Sequence, residues 1–198
     1  NTAYTSEVIR GIIFDCFGVL YHGSLDHLRE LTPSEKQQEL SDLSHSYDYG
    51  YITQSDYFEG VGQLIGQTSA EVGEICHAQH VRNEEMIKLV QKLKSQYKIA
   101  LLSNVGRGFI EGLFTPEELA TLFDADVLSN EVGMRKPNKE IYEYTAMKLG
   151  LSPSECVMID DAPGNVDGAK DVGMKGITCV STRQVALELD ALLGDVNA

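Results

Sequence analysis

The chain has 198 residues with 30 acidic and 16 basic side chains, which give a formal net charge of −14 at pH 7. Nucleic acids and anionic membrane surfaces bind positively charged proteins, so this charge argues against both as partners. The longest apolar runs have the length of a β-strand and not the roughly 20 residues that cross a bilayer, which predicts a soluble globular protein. Its size suffices for one full core and an additional insertion.

The cysteines and the N-terminal residues give two indications of the cellular compartment in which the protein resides. Four cysteines lie far apart in the sequence, and three of them are within or beside apolar runs. Such a distribution is typical of buried, reduced thiols, which favours the cytoplasm. The first ten residues lack the basic and apolar segments of a secretory signal, although the missing initiator Met leaves a removed leader open. No pattern specifies the oligomeric state, so monomer and homodimer are both open.

The first predicted element is a buried strand within residues 12–20, an apolar run that carries Asp15 directly after Phe14. A strand of this kind delivers the carboxylate to its carboxyl end, where open α/β sheets bind their ligands. Two later apolar runs, 99–102 and 156–159, also stop at polar residues. We therefore expect three strand ends to converge on one crevice.

Residues 21–82 have a different hydrophobic pattern from the rest of the chain, with no convincing strand and three short helical patterns. Thr32 and Thr68 each begin a sequence typical of a capping box. One helical face is apolar and consists of Tyr57, Val61, Leu64 and Ile65. Because this region directly follows the first strand, it is predicted to lie above the carboxyl end of that strand as a lid.

Strand and helix signals alternate after this region, which is the pattern of parallel βαβ units, so the predicted fold class is α/β. Asn83 and Thr115 are predicted helix N-caps, and Thr115 is followed by proline at the first helical position. Two further helices are predicted at 138–150 and 165–173, each with Asn as N-cap and Gly at its end.

Four polar groups that carry chemistry follow in chain order: Asp15, Ser103 with Asn104, Lys136 between Arg135 and Pro137, and the pair Asp160 and Asp161. A carboxylate that approaches a phosphoryl group is repelled by about 4 kcal/mol at about 4 Å and an effective dielectric of about 20, so this chemistry requires cations. The three aspartates are the hard oxygen ligands that octahedral Mg²⁺ prefers. Lys136 adds a positive charge, and Ser103 adds a hydrogen-bond donor for phosphoryl oxygens.

Each of these residues alone has an ordinary structural interpretation. A single Asp after a strand is often a turn or cap residue, and Lys136 before a proline is often a solvated charge. The adjacent pair Asp160 and Asp161 is the more specific signal, because two carboxylates at the end of a buried strand repel each other unless a cation or a donor compensates.

For several other polar residues the sequence gives weaker evidence of a functional role. Cys16 is interpreted as a packing residue, despite its position beside Asp15. The group of Cys76, His77 and His80 has no second pair of metal ligands and is interpreted as a helix surface. Arg107 is a candidate substrate contact, with an exposed loop arginine as the alternative.

The order and spacing of the four polar groups resemble the haloacid dehalogenase superfamily, and the resemblance covers essentially the whole chain. It implies a Rossmann-like three-layer core with a parallel sheet, formed by residues 1–20 and 83–198, and a helical cap formed by residues 21–82. It also implies a Mg²⁺-dependent phosphatase that forms an aspartyl-phosphate on Asp15.

Two segments, 134–137 and 159–165, are most similar to the branch that includes bacterial α-glucose-1-phosphate phosphatase. This similarity implies a sugar phosphate or a similar small phosphorylated metabolite as substrate. The ligands of Mg²⁺ implied by the resemblance are Asp15, the backbone carbonyl of Phe17, Asp160 and Asp161. The implied contacts of the substrate are Ser103, Asn104 and Lys136, with His22 and Arg107 as further candidates.

Phe17 departs from the pattern of most phosphatases in this superfamily, which carry a second Asp two residues after the nucleophile. General acid–base catalysis contributes about 10²–10⁴-fold, so its loss implies slow turnover or substrates with good leaving groups. The branch named above also lacks this Asp. A water or a group from the cap, such as His22, is the candidate replacement.

An aromatic residue at this position also occurs in the 2-haloacid dehalogenases, in which an aspartate displaces halide without a metal. Those enzymes replace the acidic pair that this chain retains as Asp160 and Asp161, so the phosphatase is favoured. A third alternative is a binding protein that retains the fold and has lost turnover, since a fold alone does not imply a function.

Overall fold

The structure is a computed structural model and describes residues 8–194. Five parallel strands form one sheet in the order β3-β2-β1-β4-β5. The strands are β1 (Gly11–Phe14), β2 (Lys98–Ser103), β3 (Ala125–Leu128), β4 (Cys156–Asp160) and β5 (Lys175–Thr178). The predicted α/β fold class is therefore confirmed, and the three expected strand ends belong to the neighbouring strands β1, β2 and β4.

β1 is the central strand and is buried along its whole length. Its last residue, Phe14, pairs with Leu101 of β2 on one side and with Ile159 of β4 on the other. This register brings the carboxyl ends of the three strands together. The strand order also reverses at β1, which is where open α/β sheets form a ligand crevice.

Ten α-helices are described in residues 8–194. They are α1 (Leu25–Leu31), α2 (Gln37–Asp48), α3 (Gln54–Ile65), α4 (Ser69–Gln79), α5 (Glu84–Leu93), α6 (Pro116–Leu122), α7 (Ser129–Val132), α8 (Lys139–Leu149), α9 (Pro163–Asp171) and α10 (Thr182–Leu193). Helices α5 and α10 pack on the sheet face that carries Ile12 and Phe14, and α8 and α9 pack on the opposite face, which carries Ile13. The core therefore has three layers.

Three of the four helix starts predicted after residue 82 are confirmed. The Asn83 side chain accepts a hydrogen bond from Met86 N–H (3.2 Å), and Thr115 forms a capping box with Glu118. Helix α8 begins after Asn138 and ends at Gly150, whose φ of 71° requires the left-handed conformation that glycine adopts easily. The prediction for Asn165 is wrong, because α9 already begins at Pro163.

Residues 25–79 form four α-helices and a short 3-10 turn between β1 and β2, which we call the helical segment. Its buried side chains form a cluster of their own: Leu28, Leu40, Tyr47, Tyr57, Val61, Leu64, Val72 and Cys76. No strand is described in this segment, as predicted, but there are four helices instead of three. The Thr68 capping box is confirmed, whereas the Thr32 hydroxyl donates backwards to the Leu28 carbonyl (2.7 Å) at the end of α1.

The end of α2 holds the helical segment against the sheet edge. The Arg135 guanidinium contacts Asp48 through Nη2 (2.8 Å) and Nε (3.3 Å), and the Tyr47 hydroxyl donates to the Arg107 carbonyl. The Tyr47 ring packs directly on Gly106, where a Cβ atom would lie 2.1 Å from the ring. These contacts place α2 above the carboxyl ends of the strands.

Two expectations from composition can be compared with the fold. All four cysteines are free, and Cys16, Cys76 and Cys156 are buried. Among the described residues, no helix combines the length and the apolar character that crossing a bilayer requires.

Helix α9 packs against Pro137, the residue after Lys136, through Gly168. A Cβ atom at Gly168 would lie 2.6 Å from the Pro137 carbonyl oxygen, whereas a Cβ atom at Gly164 in the same helix would meet no atom within 4 Å. We expect Gly168→Ala to lower the free energy of unfolding by about 1–3 kcal/mol, because the added methyl forces the helix away from this backbone.

Urea unfolding followed by circular dichroism measures this change. Gly164→Ala is the matched control and is expected to raise stability by about 0.4–1 kcal/mol, since alanine restricts the unfolded chain. Equal effects of the two substitutions would contradict the close approach at Gly168.

Candidate active site

Asp15 lies directly after β1, in the crevice where β1, β2 and β4 end. Its backbone N–H donates to the Ile159 carbonyl (2.9 Å), which extends the pairing between β1 and β4 by one residue. The residue is buried, with 7% of its surface exposed. The sheet therefore fixes the backbone of Asp15, and its side chain lies at the carboxyl edge.

Lys136 lies between two carboxylates from neighbouring strands. Its Nζ is 2.9 Å from Asp15 Oδ1 and 2.6 Å from Asp160 Oδ2, and it also donates to the Leu102 carbonyl (3.1 Å). An ammonium group has three N–H donors, so these three acceptors use all of them. The side chain is 1% exposed. Lys136 is therefore a fixed, buried positive charge.

Asn104 positions the backbone of Lys136. Its Nδ2 donates to the Lys136 carbonyl (2.9 Å), and the Lys136 N–H donates to Asn104 Oδ1 (2.8 Å). Both ends of the amide are thus engaged with the same residue. Asn104 was predicted as a substrate contact, and in the structure it holds the loop of Lys136 on the end of β2.

Asp160 is the last residue of β4 and is fully buried. Its Oδ1 accepts hydrogen bonds from Ala162 N–H (2.9 Å) and from Asn165 Nδ2 (3.1 Å), and Asn165 is also 3.1 Å from Oδ2. Asn165 therefore orients a site carboxylate from the first turn of α9. The sequence pattern predicted Asn165 as an N-cap and did not reveal this role, although an amide five residues after Asp160 was a usable signal.

Asp161 completes an acidic group. Ligand oxygens of Asp15, Asp160 and Asp161 lie within 4.8 Å of one another. The loop after Asp15 passes close to Asp161 at Gly18, where φ is +85° and a Cβ atom would lie 2.2 Å from Asp161 Cγ. Glycine is required there both by the backbone conformation and by the space.

The acidic group carries more negative charge than Lys136 compensates. Burial and the neighbouring Asp160 raise the pKa of the Asp15 carboxyl, and Lys136 offsets this only in part. Burial and Asp160 also raise the pKa of Asp161. Burial lowers the pKa of Lys136, but the two carboxylates outweigh it and leave the lysine charged. A cluster of hard oxygens with excess negative charge fits a divalent cation such as Mg²⁺.

Ser103, the last residue of β2, is 1% exposed. Its hydroxyl has no hydrogen-bond partner among the described residues. A buried hydroxyl without a partner costs about 1–3 kcal/mol, so a hydroxyl in this state beside Asp15 is suited to donate to a ligand oxygen. The structure thus retains a free donor at the strand next to Asp15.

Phe17 lies two residues after Asp15 within a group of aromatic rings. Its ring centroid is 4.8 Å from that of His80 and 6.1 Å from that of Phe109, and His80 and Phe109 are 5.3 Å apart. Burial lowers the pKa of His80 to about 4, so this imidazole is neutral at pH 7. The interpretation of residues 76–80 as a helix surface holds for exposed His77, but Cys76 is buried and His80 packs on Phe17.

Two predicted substrate contacts, His22 and Arg107, have exposed side chains. His22 is exposed, and its backbone N–H donates to the Val81 carbonyl (2.9 Å). The Arg107 side chain is exposed, and its carbonyl accepts from Tyr47. Within residues 8–194, neither makes a hydrogen bond or ion pair with the acidic group or Lys136. Cys16 is fully buried, and burial raises the pKa of its thiol, in agreement with a packing role.

Comparisons with known proteins agree with this arrangement. A family profile described as haloacid dehalogenase-like hydrolase matches residues 9–173. The sesquiterpene phosphatase astK of Aspergillus oryzae is 27% identical over 93% of this chain and 97% of its own length. Drimenol cyclase drtB of Aspergillus calidoustus is 24% identical over 94% of this chain, which spans 37% of drtB.

The fold also matches a solved structure. A HAD family enzyme from Bacteroides thetaiotaomicron, in complex with magnesium and inorganic phosphate, aligns with a TM-score of 0.69 at 21% identity. The alignment covers 86% of this chain and 93% of the other. At this identity the likeness concerns the fold.

The buried charges predict how stability responds to removal of the lysine. In Lys136→Met the Asp15 carboxyl loses the ammonium that partly offsets its raised pKa, so this pKa rises further. A carboxyl with a higher pKa in the folded state binds more protons when folded, and stability therefore falls as the pH rises toward that pKa. We expect a loss of about 3–5 kcal/mol at pH 8 and a smaller loss at pH 5.

Urea unfolding at both pH values, with a chelator present, measures this difference. Lys170→Met is the control, because its side chain is 52% exposed and 3.8 Å from Asp167. It is expected to change stability by no more than about 1 kcal/mol at either pH. A loss for Lys136→Met that is independent of pH would contradict the charge assignment.

Proposed function

Because this chain belongs to the haloacid dehalogenase-like hydrolases, we propose that it hydrolyses a small phosphate monoester through an aspartyl-phosphate on Asp15. The observation that carries the proposal is the position of Lys136 between Asp15 and Asp160, beside an acidic group with excess negative charge. A phosphoryl group requires positive charge around it, and this crevice has one fixed cation and the ligands for a second.

Asp15 is the proposed nucleophile. Its Oδ1 accepts from Lys136 Nζ (2.9 Å) and from Cys16 N–H (2.7 Å), which leaves Oδ2 for attack on phosphorus. Two donors on one oxygen also fix the plane of the carboxylate, so little orientational freedom is lost in the reaction. Attack displaces the alcohol and forms the acyl phosphate, and water then releases phosphate from Asp15.

The phosphoryl oxygens are stabilised by groups that are already in place. Lys136 supplies a charge that does not reorient, and the Ser103 hydroxyl supplies a donor that has no partner among residues 8–194. Mg²⁺, held by Asp15, Asp160, Asp161 and the Phe17 carbonyl, would act as a Lewis acid on the same oxygens. Asn165 and Asn104 hold Asp160 and Lys136 in the geometry that this requires.

Phe17 offers no acid or base to the leaving alcohol. The proton of the leaving group therefore comes from water, and we expect a rate below that of an enzyme with a carboxyl at this position by about 10²–10⁴-fold.

The position of the helical segment leads to a proposal for the domain organisation. We propose that residues 21–82 form a cap over the crevice and that residues 1–20 and 83–198 form the core, because α2 is held above the strand ends.

The named relatives support this class of reaction. The sesquiterpene phosphatase covers nearly the same length as this chain, and the Bacteroides enzyme was solved with magnesium and phosphate. A small phosphorylated molecule is therefore the proposed partner. The sugar phosphate implied by the sequence resemblance stays a prediction. Halide release from a 2-haloacid without metal would instead favour the dehalogenase, and loss of both activities would favour the binding protein.

We expect Asp15→Asn to abolish Mg²⁺-dependent phosphate release, because the amide oxygen cannot form an acyl phosphate that turns over. Phosphate release from p-nitrophenyl phosphate and from a panel of phosphorylated metabolites measures the effect. Asp167→Asn, the same change at a side chain that is 73% exposed on α9, is the matched control with unchanged turnover. Retained turnover in Asp15→Asn would overturn the nucleophile assignment.

The raised pKa values of Asp15 and Asp161 predict competition between protons and Mg²⁺. Both carboxyls must lose their protons to bind the cation, so the apparent affinity is expected to increase as the pH rises from 6 to 8. Titration calorimetry in buffers of different ionisation enthalpy measures both the affinity and the protons released.

In the same titration, Asp161→Asn is expected to weaken Mg²⁺ binding by at least about tenfold, because one charged ligand is lost. Asp167→Asn again serves as the control. Mg²⁺ binding that is independent of pH and of Asp161 would contradict the proposed metal site.

A further inference from the structure

Asp48, the last residue of α2, forms an ion pair with Arg135 that is largely shielded from solvent. Arg135 Nη2 and Nε lie 2.8 and 3.3 Å from Asp48 Oδ2, and the Arg135 and Asp48 side chains are 19% and 17% exposed. Burial raises the pKa of this carboxyl, and a carboxylate at the C-terminal end of a helix also opposes the helix dipole. The position of Asp48 is therefore explained by Arg135 and not by the stability of α2.

The ion pair holds the backbone that carries the buried lysine. Arg135 and Lys136 are adjacent, and the N–H and carbonyl of Lys136 are both bonded to the Asn104 side chain. This backbone is thus held from two sides, by Asn104 at the end of β2 and, through Arg135, by Asp48 in the helical segment. A shift of Arg135 would therefore move the ammonium group that lies 2.9 Å from Asp15.

The backbone carbonyl of Asp48 is bonded to a second loop of the site. The Ser129 hydroxyl donates to this carbonyl and accepts from the Val105 N–H (2.9 Å). Ser129 is fully buried, and Val105 is two residues after Ser103. The side chain and the carbonyl of Asp48 therefore hold the two loops that carry Lys136 and Ser103.

The proposed metal ligands of β4 are held by other residues. Asp160 accepts hydrogen bonds from Ala162 N–H (2.9 Å) and from the Asn165 amide (3.1 Å). Within residues 8–194, no hydrogen bond or ion pair joins Asp48 or Arg135 to any of these three residues. Loss of the ion pair should therefore weaken the binding of a phosphoryl group more than the binding of Mg²⁺.

We propose that Asp48 is a positioning residue for the two groups that contact the phosphoryl oxygens. Its carboxylate fixes the loop of Lys136 through Arg135, and its carbonyl fixes the loop of Ser103 through Ser129. The inference rests on the proposed function and adds to it a residue of the helical segment that no sequence motif indicated. The docking of α2 on the strand ends thus controls how well the crevice binds a phosphoryl group.

Binding of orthovanadate, an analogue of the phosphoryl group, tests the inference without turnover. In calorimetry with Mg²⁺ present, Asp48→Ala is expected to bind vanadate at least about tenfold more weakly than the unmodified protein, because a small displacement of the charged groups is costly. The affinity for Mg²⁺ alone is expected to change by less than about twofold, since the residues that orient the metal ligands are intact. Asp42→Ala, the same change at an exposed position of α2, is the control with both affinities unchanged.

Equal vanadate affinities in Asp48→Ala and in the unmodified protein would overturn the inference. So would a loss of affinity that is the same for vanadate and for Mg²⁺, because a general disturbance of the fold weakens both ligands. Absence of vanadate binding in the unmodified protein would overturn both the inference and the proposed phosphoryl site.

Substitutions of Arg135 separate the ion pair from a general loss of packing. We expect Arg135→Met to weaken vanadate binding, and the double variant with Asp48→Ala to bind no more weakly than the weaker single variant, since both changes break the same pair. Arg135→Lys keeps the charge without the two-point contact and is expected to retain part of the affinity. Losses that multiply in the double variant would show that the two residues act separately and would overturn the inference.

Phosphate release from p-nitrophenyl phosphate separates this inference from the proposed function. Asp48→Ala is expected to lower kcat by at least about tenfold. Release at an unchanged kcat would overturn the positioning role and leave the phosphatase intact. Vanadate binding that depends on Asp48, with no release of phosphate from any ester, would support the positioning role and overturn the phosphatase.

Discussion

The arrangement of the site depends on one buried ammonium group. Two carboxylates at the ends of neighbouring strands, Asp15 and Asp160, would repel each other strongly in a crevice from which water is largely excluded. Lys136 lies between them and uses its remaining donor on the end of β2, so a single side chain holds three strand ends together. With Asp161 nearby, negative charge is still in excess, and this excess is what the proposed binding of a divalent cation and of a phosphoryl group depends on.

The loop that carries Lys136 also connects the charged site with the helical segment. Arg135, adjacent to Lys136, forms the ion pair with Asp48 at the end of α2, and the Tyr47 ring rests on Gly106. Any movement of α2 away from the sheet therefore acts on the backbone that carries the buried lysine. Phe17 also connects the charged site with the helical segment, because its backbone lies beside Asp15 and its ring packs against His80. At this position of the nucleophile loop the side chain is therefore an apolar ring and not a carboxyl.

The sequence correctly predicted helix caps whose hydrogen bonds involve only residues within the same helix turn. Capping boxes at Thr68 and Thr115 satisfy the first N–H groups of their own helices, so little from elsewhere competes with them. The predictions failed where a polar side chain had a better partner. Asn165 donates to the buried carboxylate of Asp160, and Thr32 donates to the preceding helix. His80 lies in a helical pattern with exposed neighbours, and its contact with Phe17 joins residues far apart in the chain.

By itself, the sequence determined the parallel sheet, because apolar runs that end on polar residues must be buried strands with their functional groups at one edge. It also predicted the residue types of the candidate site, which are acidic side chains at strand ends, a serine and a lysine. Tertiary structure alone decided which partners those residues have: Asn104 on the backbone of Lys136, Asn165 on Asp160, and an aromatic wall around Phe17. The reason is that strand pairing follows a short repeating pattern, whereas the packing of a helical segment on a sheet depends on many distant side chains at once.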